Sequence, residues 1–472
     1  MTNRKKRLLI TISFSFSIRY LYRTGMLQKL REFTHPVIAI HWSEPELVAE
    51  MEAEGFEVHV VPVSVKDKLY SNIRTKIDFW FDFFALKTKS KEVQKKYLNQ
   101  YIPLKVRTKR KLRERYNQAK LFVPGYRQKL FEKEQQMLSR HTNYNDMLAL
   151  VDKLSIDAVF TITPFQTQED ILLRACKARN KKMITSIVSF DNITKRGWIP
   201  VSYDHYMVWN KYNFHELLTI YKTIATERNV TIVGAPQFDF YADHSRLLDK
   251  DEWKKMTGLP SDDRKIILYA GGPKSLFPNE PQYLRHMMEA IDQGLIEGNP
   301  LVLFRCHPID NVDRWQKYVG LHANLFYDVS WTGKEQMTMA SITKDDITKL
   351  CSTLAYTDVH INLCSTMTVD GSAYKKPQIG PYYDDVNPSK ANLLRGMYMQ
   401  QHFLPIIKTN GLKLASSRQE MVSFINEGLL APENFTENCK KVLEEIITYA
   451  DGKSTDRVVN LLKAILEEPQ TD

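Results

Sequence analysis

Three short stretches carry side chains and backbone suited to holding an anionic group. The first is Phe304-Arg305-Cys306-His307-Pro308. Proline restricts the residue before it, so the His307 ring is fixed at the end of an apolar run, with Arg305 adding charge. The second runs from Ser365-Thr366 through Asp370 to a closing Lys376-Pro377. Hydroxyls followed by the free N–H groups of a first helical turn form an anion site, and Asp370 is placed to accept from ribose hydroxyls. The third is Ala270-Gly271-Gly272-Pro273-Lys274-Ser275. Its glycines let backbone approach a phosphate, and Lys274 supplies charge. Each stretch also has a plainer reading: a strand-to-loop turn, a capped helix, a glycine turn.

Other chemistries are excluded by spacing. Gly271-Gly272 lacks the G-x-x-x-x-G-K-[ST] pattern of a P-loop, and no G-x-G-x-x-G follows the first apolar run, which disfavours a nicotinamide enzyme. No Asp-x-Asp stands in strand context. The five cysteines are scattered without a C-x-x-C pair. Hence no metal site and no cofactor beyond the substrate is expected, and a reducing cytoplasm suits the thiols.

The elements that must position these residues repeat in two rounds. Apolar runs at Leu8–Ser13, Val37–Ile40, Glu57–Val63, Ala158–Thr163, Met183–Ser189, Tyr206–Trp209 and Val230–Val233 alternate with helical patterns. A second round begins at Lys265–Ala270 and continues through Leu301–Arg305, Val359–Leu363 and Gln378–Gly380, with helices dominating from Arg418 onward. Strands alternating with helices indicate βαβ units and mostly parallel sheets. At 472 residues the chain is too long for one core and comfortable for two. The reading is an N-terminal α/β domain over 1–238, with a helical insert at about 70–155, and a C-terminal α/β domain over 239–472.

The first half offers Ser189-Phe190-Asp191-Asn192 after a strand. A carboxylate there could take a proton from an acceptor hydroxyl, which makes Asp191 the candidate general base with Asn192 beside it. The alternative is an Asx-turn, in which these side chains bond their own backbone. Ser17, Arg19, Thr24 and Gly25, after the first strand, complete the candidate acceptor side.

Taken in order, these stretches resemble the GT-B glycosyltransferases of bacterial surface-polysaccharide type. His307-Pro308, followed by Ser365-Thr366 and Lys376-Pro377, is similar to His-Pro-containing transferases such as the CDP-glycerol glycerophosphotransferases and the Kdo and sialic acid transferases. Val233-Gly234-Ala235-Pro236-Gln237-Phe238-Asp239 is similar to the hinge segment of many GT-B proteins. The resemblance spans roughly residues 150–400. It implies two Rossmann-like doubly wound domains facing a cleft, with His307, Ser365 and Thr366 on the nucleotide phosphates. The function it implies is metal-independent transfer of a sugar from a nucleotide-sugar donor to a polysaccharide or lipid-linked acceptor. A CDP-glycerol-type polyol-phosphate transferase and a sugar-nucleotide 2-epimerase are the rivals within enzymes.

Charge adds a further expectation. The chain carries a formal net charge of +11. Between Lys105 and Lys120, eight cations (Lys105, Arg107, Lys109, Arg110, Lys111, Arg113, Arg115 and Lys120) face one acid, Glu114, downstream of the aromatic run Phe79-Trp80-Phe81-Asp82-Phe83-Phe84. A basic helix with aromatics suits an anionic membrane surface on the inner face. The bland alternative is an aromatic core with a solvated charged face. A nucleic-acid-binding protein is the rival outside enzymes, but no RNA-binding motif accompanies the basic run. No apolar stretch approaches the ~20 residues that span a bilayer.

Overall fold

Apolar runs such as Leu8–Ile12 and Ile266–Ala270, buried along their length, suit strands of parallel sheets covered on both faces. The computed structural model describes residues 4–42, 44–61, 67–86, 88–328 and 342–468. They form two units. The first comprises 1–91, 98–234 and 455–472, and the second 92–97 and 235–454.

The sheet of the first unit holds β1 (Lys6–Ile12), β2 (Thr34–Ile40), β3 (Glu57–Val60), β4 (Ala158–Thr161), β5 (Lys182–Ser186), β6 (His205–Val208) and β7 (Val230–Ile232). Its order is β3-β2-β1-β4-β5-β6-β7, every pair parallel. The second unit holds β8 (Ile266–Ala270), β9 (Leu301–Arg305), β10 (Leu325–Asp328), β11 (Val359–Asn362), β12 (Gln378–Pro381) and β13 (Lys413–Ala415). Its order is β10-β9-β8-β11-β12-β13, again all parallel. In both sheets the strand order reverses beside the first strand, between β1 and β4 and between β8 and β11. Open α/β sheets bind ligands at the carboxyl ends of the strands flanking such a reversal.

The doubly wound architecture is the expected one, but two strands and one helix depart from expectation. β10 and β13 are short edge strands without a clear apolar run, so the sequence pattern passes over them. Helix Ser454–Glu467 follows the second half in sequence but belongs to the first unit. Val458, Val459, Leu462, Ile465 and Leu466 join the core cluster of Leu8, Ile10, Ile12, Ile18 and Leu30. Lys6 and Lys182 donate from β1 and β5 to the carbonyls of Leu466 and Ile465, neutralising the negative end of that helix. The two units divide at 234/235, with a return to the first at 455.

The expected helical insert is present as five α-helices: Lys68–Phe81, Lys89–Asn99, Leu104–Leu121, Tyr126–Ser139 and Tyr144–Leu154. A buried ion cluster pins it to helix Asp170–Ala178. Arg74 and Glu134 from the insert meet Asp170 and Arg174, with Arg174 Nε 2.7 Å from Asp170 and Arg74 Nε 3.3 Å from it. The Tyr70 hydroxyl donates to Asp170 at 2.8 Å. The Trp198 ring lies 4.5 Å from the Arg74 guanidinium and 5.5 Å from that of Arg174.

Candidate functional site

In the second unit the three stretches do meet the carboxyl ends of β8, β9 and β11. Gly271 continues β8, its N–H bonding the Arg305 carbonyl at 3.0 Å. A methyl group at Gly271 would stand 2.9 Å from Trp315 and 3.0 Å from Phe304, and one at Gly272 would stand 2.8 Å from the Glu280 carboxyl. Both glycines are required by close approach. Lys274 is exposed on this loop.

His307 follows β9, half-buried, with Pro308 after it. Its Nδ1 accepts the Ile309 N–H at 3.2 Å. Burial lowers the ring pKa to about 4, with Asp310 opposing the shift. A neutral ring whose Nδ1 accepts must carry its hydrogen on Nε2, so His307 is set as an uncharged donor. Asp310 in turn accepts from Arg314 at 2.9 Å and Trp315 Nε1 at 3.0 Å, which fixes the turn.

At β11 the Asn362 side chain organises the tip, accepting from Ser365 N at 3.3 Å and Thr368 Oγ1 at 2.9 Å. Ser365 Oγ accepts the Met367 N–H at 3.2 Å, and Thr366 is exposed. Between them Cys364 sits at φ +48°, a left-handed conformation that a non-glycine residue adopts at some energetic cost. The helix that follows, Met367–Ala373, is short.

Several of the expected site residues have partners within the protein. Arg305 is buried and its guanidinium bonds Asp328 at 3.1 Å, with Lys349 on the other oxygen of that carboxylate. Asp370 is buried and one of its carboxylate oxygens accepts from the Tyr241 hydroxyl. Asp191 is held by Ser189 Oγ at 2.6 Å, Asn192 Nδ2 at 3.0 Å and Lys195 Nζ at 3.1 Å. The three donors are side chains, so these bonds hold the Asp191 carboxylate but are not those of an Asx-turn. Asp191→Asn separates the two roles: a hundredfold loss of turnover in a folded variant is expected of the base, whereas a midpoint lowered by a few degrees with turnover retained would mark a structural carboxylate. Thr24 and Gly25 form the turn between two short helices, Thr24 Oγ1 donating to the Tyr20 carbonyl at 2.6 Å and Gly25 standing at φ +77°.

Ser17 and Arg19 lie buried on helix Ser15–Leu21, directly after β1. Ser17 Oγ has no partner among the described residues. The reversal point of this sheet holds Glu169, which the sequence reading missed. Thr11, Ser13, Thr161 and Thr163, from β1, β4 and the residues that follow them, all donate to its buried carboxyl at 2.5 to 2.8 Å. Its one signal was hydroxyl alternation at the ends of two strands, Thr11/Ser13 and Thr161/Thr163. Glu280 and Arg314 were missed in the second unit. Glu280, between Asn279 and Pro281, reads in sequence like a loop acid.

Comparison with known proteins follows this geometry. S. aureus MnaA, in a structure with UDP, superposes with a TM-score of 0.56 at 10% identity, over 99% of this chain and all of its own. The Neisseria meningitidis UDP-GlcNAc 2-epimerase bound to UDP-GlcNAc gives 0.54 at 9% identity, over 97% and 100%. A glycosyltransferase from Rickettsia africae gives 0.52 at 12% identity, over 99% and 100%. At such identities these likenesses establish the GT-B fold and nothing finer. No curated protein matches the sequence. A family model, CDP-glycerol:poly(glycerophosphate) glycerophosphotransferase, matches residues 181–464, from β5 to the last helix. Since that match spans more than half of its length, the chain belongs to the CDP-glycerol:poly(glycerophosphate) glycerophosphotransferase family of transferases.

Proposed function

We propose that the chain binds a CDP-linked polyol phosphate on its second unit and transfers the polyol phosphate to a hydroxyl of a surface polymer or its lipid-linked precursor. The family match over 181–464 carries this reading. The acceptor oxygen bonds the phosphorus nearer the polyol, the bond from that phosphorus to the bridging oxygen breaks, and CMP leaves. His307 Nε2–H and the Ser365 hydroxyl meet the charge that collects on the leaving nucleotide, with the side-chain-free Gly271-Gly272 loop leaving room for it, an arrangement that asks for no metal. Sugar transfer from a nucleotide sugar would use the same phosphate contacts, so the donor decides between the two.

Thermal-shift screening against CDP-glycerol, CMP, CDP, UDP and the common nucleotide sugars tests this. A ligand at a hundred times its Kd adds about 2.7 kcal/mol to stability. A cytidine nucleotide standing out, unaffected by EDTA, is the expected result. A uridine or guanosine sugar as the sole stabiliser would replace polyol-phosphate transfer with glycosyl transfer, and loss of binding in EDTA would end metal independence. His307→Ala should weaken the preferred nucleotide about 10- to 100-fold, the equivalent of ~1.5–3 kcal/mol for a hydrogen bond to a charged group. Unchanged affinity would remove His307 from the site.

The acceptor side of this proposal includes an anionic membrane surface. No described helix is long and apolar enough to cross a membrane. Helix Leu104–Leu121, however, is exposed along nearly its whole length and carries the eight cations together with Leu104 at 66% and Tyr116 at 61% exposure. At its end Phe122, 67% exposed, joins Phe83 and Phe84 with ring centroids 5.0 to 5.9 Å apart. Trp80, by contrast, packs against Phe131 and the buried cluster of Ile73, Ile77 and Leu130. The aromatic run is thus partly core and partly surface, and only the surface part suits lipid. Reversing Arg107, Lys109, Lys111 and Arg113 to Glu should abolish flotation with acidic vesicles, at ~1 kcal/mol per charge near the surface. Wild-type protein that ignores such vesicles at low salt would leave a soluble acceptor.

A further inference from the structure

The loop after β8 hides an acid that the transfer itself does not use. Glu280 begins helix Pro281–Asp292 and is 1% exposed. Its Oε2 accepts the Gly272 N–H at 2.8 Å, whereas Oε1 is buried with no partner among the described residues. A buried carboxyl with one oxygen bonded and the other bare is expensive as an anion, and the unmet oxygen calls for a hydrogen of its own. Burial raises the Glu280 pKa to about 8, although the Gly272 N–H and Arg314 pull it down. At neutral pH the group is therefore mostly an acid, with an acceptor turned to the glycine loop and an O–H still to place.

We propose that Glu280 is a positioning residue of the donor site: as the uncharged acid it shapes the Gly271-Gly272 loop for a nucleoside diphosphate, and as the carboxylate it opposes that anion. This rests on the donor reading above. The phenols, thiol and imidazole facing Glu280 titrate outside its range. Tyr269 from β8 and Tyr398 are held well above the usual phenol value by burial, and Cys306 is pushed up to about 12. His307, lowered to about 4, is already neutral. Arg314 and Asp310 are paired with each other at 2.9 Å. Lys274 is on the exposed side of the loop. Among these described phenol, thiol and imidazole neighbours none changes charge near pH 8, whereas Glu280 does.

The test is calorimetric titration of CDP into the full chain between pH 6.5 and 9.5, for wild type, Glu280→Gln and Glu280→Ala. Binding that requires the protonated acid weakens about tenfold between pH 7 and pH 9. Glu280→Gln keeps an acceptor for Gly272 and cannot ionise, so it should bind like wild type at pH 7 and lack the decline. Comparing the two profiles removes the titration of CDP itself. Glu280→Ala should bind weakly at every pH. Parallel profiles for wild type and Glu280→Gln would overturn the proposal even if Glu280→Ala fails to fold. Wild type that binds CDP, loses affinity on His307→Ala and shows a flat profile overturns Glu280 alone. Wild type that binds no nucleotide at any pH overturns the donor reading along with it.

Discussion

A chain ending at Lys453 should fail to fold its first unit. Helix Ser454–Glu467 contributes Val458, Val459, Leu462, Ile465 and Leu466 to that unit's core, each 8% exposed or less. Truncating a buried Leu or Ile to Ala alone costs about 2–5 kcal/mol. Even at the lower end, Leu462, Ile465 and Leu466 alone reach ~6 kcal/mol, comparable with the whole stability of an ordinary domain, before Val458 and Val459 are counted. The polar anchors go as well, including the Lys29–Asp456 pair and the capping bonds from Lys6 and Lys182. The expected picture in circular dichroism and limited proteolysis is a protected fragment near residues 235–453 with the remainder digested. Leu462→Ala serves as a graded companion, expected to lose 2–5 kcal/mol in urea. Wild-type protection of residues 4–60 in the truncated chain would contradict the assignment of this helix to the first core.

The second large effect is expected at Glu134. This side chain is fully buried beside two guanidiniums, Arg174 and Arg74, with Asp170 as the other anion. Removing one member of such a cluster leaves a buried charge without compensation, which typically costs 3–5 kcal/mol. Glu134→Ala should therefore shift urea unfolding by that amount. The double variant Glu134→Met, Arg174→Met deletes one charge of each sign, leaving Arg74 to Asp170, and should recover much of the loss. A double variant no better than the single one would show that the cluster acts through packing around Trp198. The neighbouring Gly197 is constrained too: a methyl group there would lie 2.7 Å from Asp78, whose carboxylate accepts the Trp198 N–H at 3.2 Å.

What sequence alone could show divides along physical lines. Strand tips were legible because apolar runs end abruptly in glycine, proline or hydroxyls, so Gly271, His307 and Ser365 are found at the carboxyl ends of β8, β9 and β11. Partners were not legible, because they depend on tertiary pairing. Arg305 reads as a free cation until β10 places Asp328 beside it, and β10 is an edge strand with no apolar run to announce it. Asp370 is turned by Tyr241, well over a hundred residues earlier. The tautomer of His307 depends on a backbone N–H two residues on, and the charge state of Glu280 on burial by helix and loop. The last helix carries an ordinary amphipathic pattern, and nothing in that pattern names the sheet it must cover.

The interleaving of the two units sets an order of events during synthesis. Apart from residues 92–97, the second unit is one continuous stretch, 235–454, whereas the first is complete only when 455–468 has left the ribosome. Domains ordinarily mature from the N-terminus as the chain emerges. Here the later stretch can close first, while the sheet of β1–β7 waits with the surface that Leu462 and Ile465 will cover still open to water. Translation stalled after residue 454 would hold a finished second unit on an unfinished first one. Such nascent chains would be the ones most dependent on chaperones that shield apolar surface.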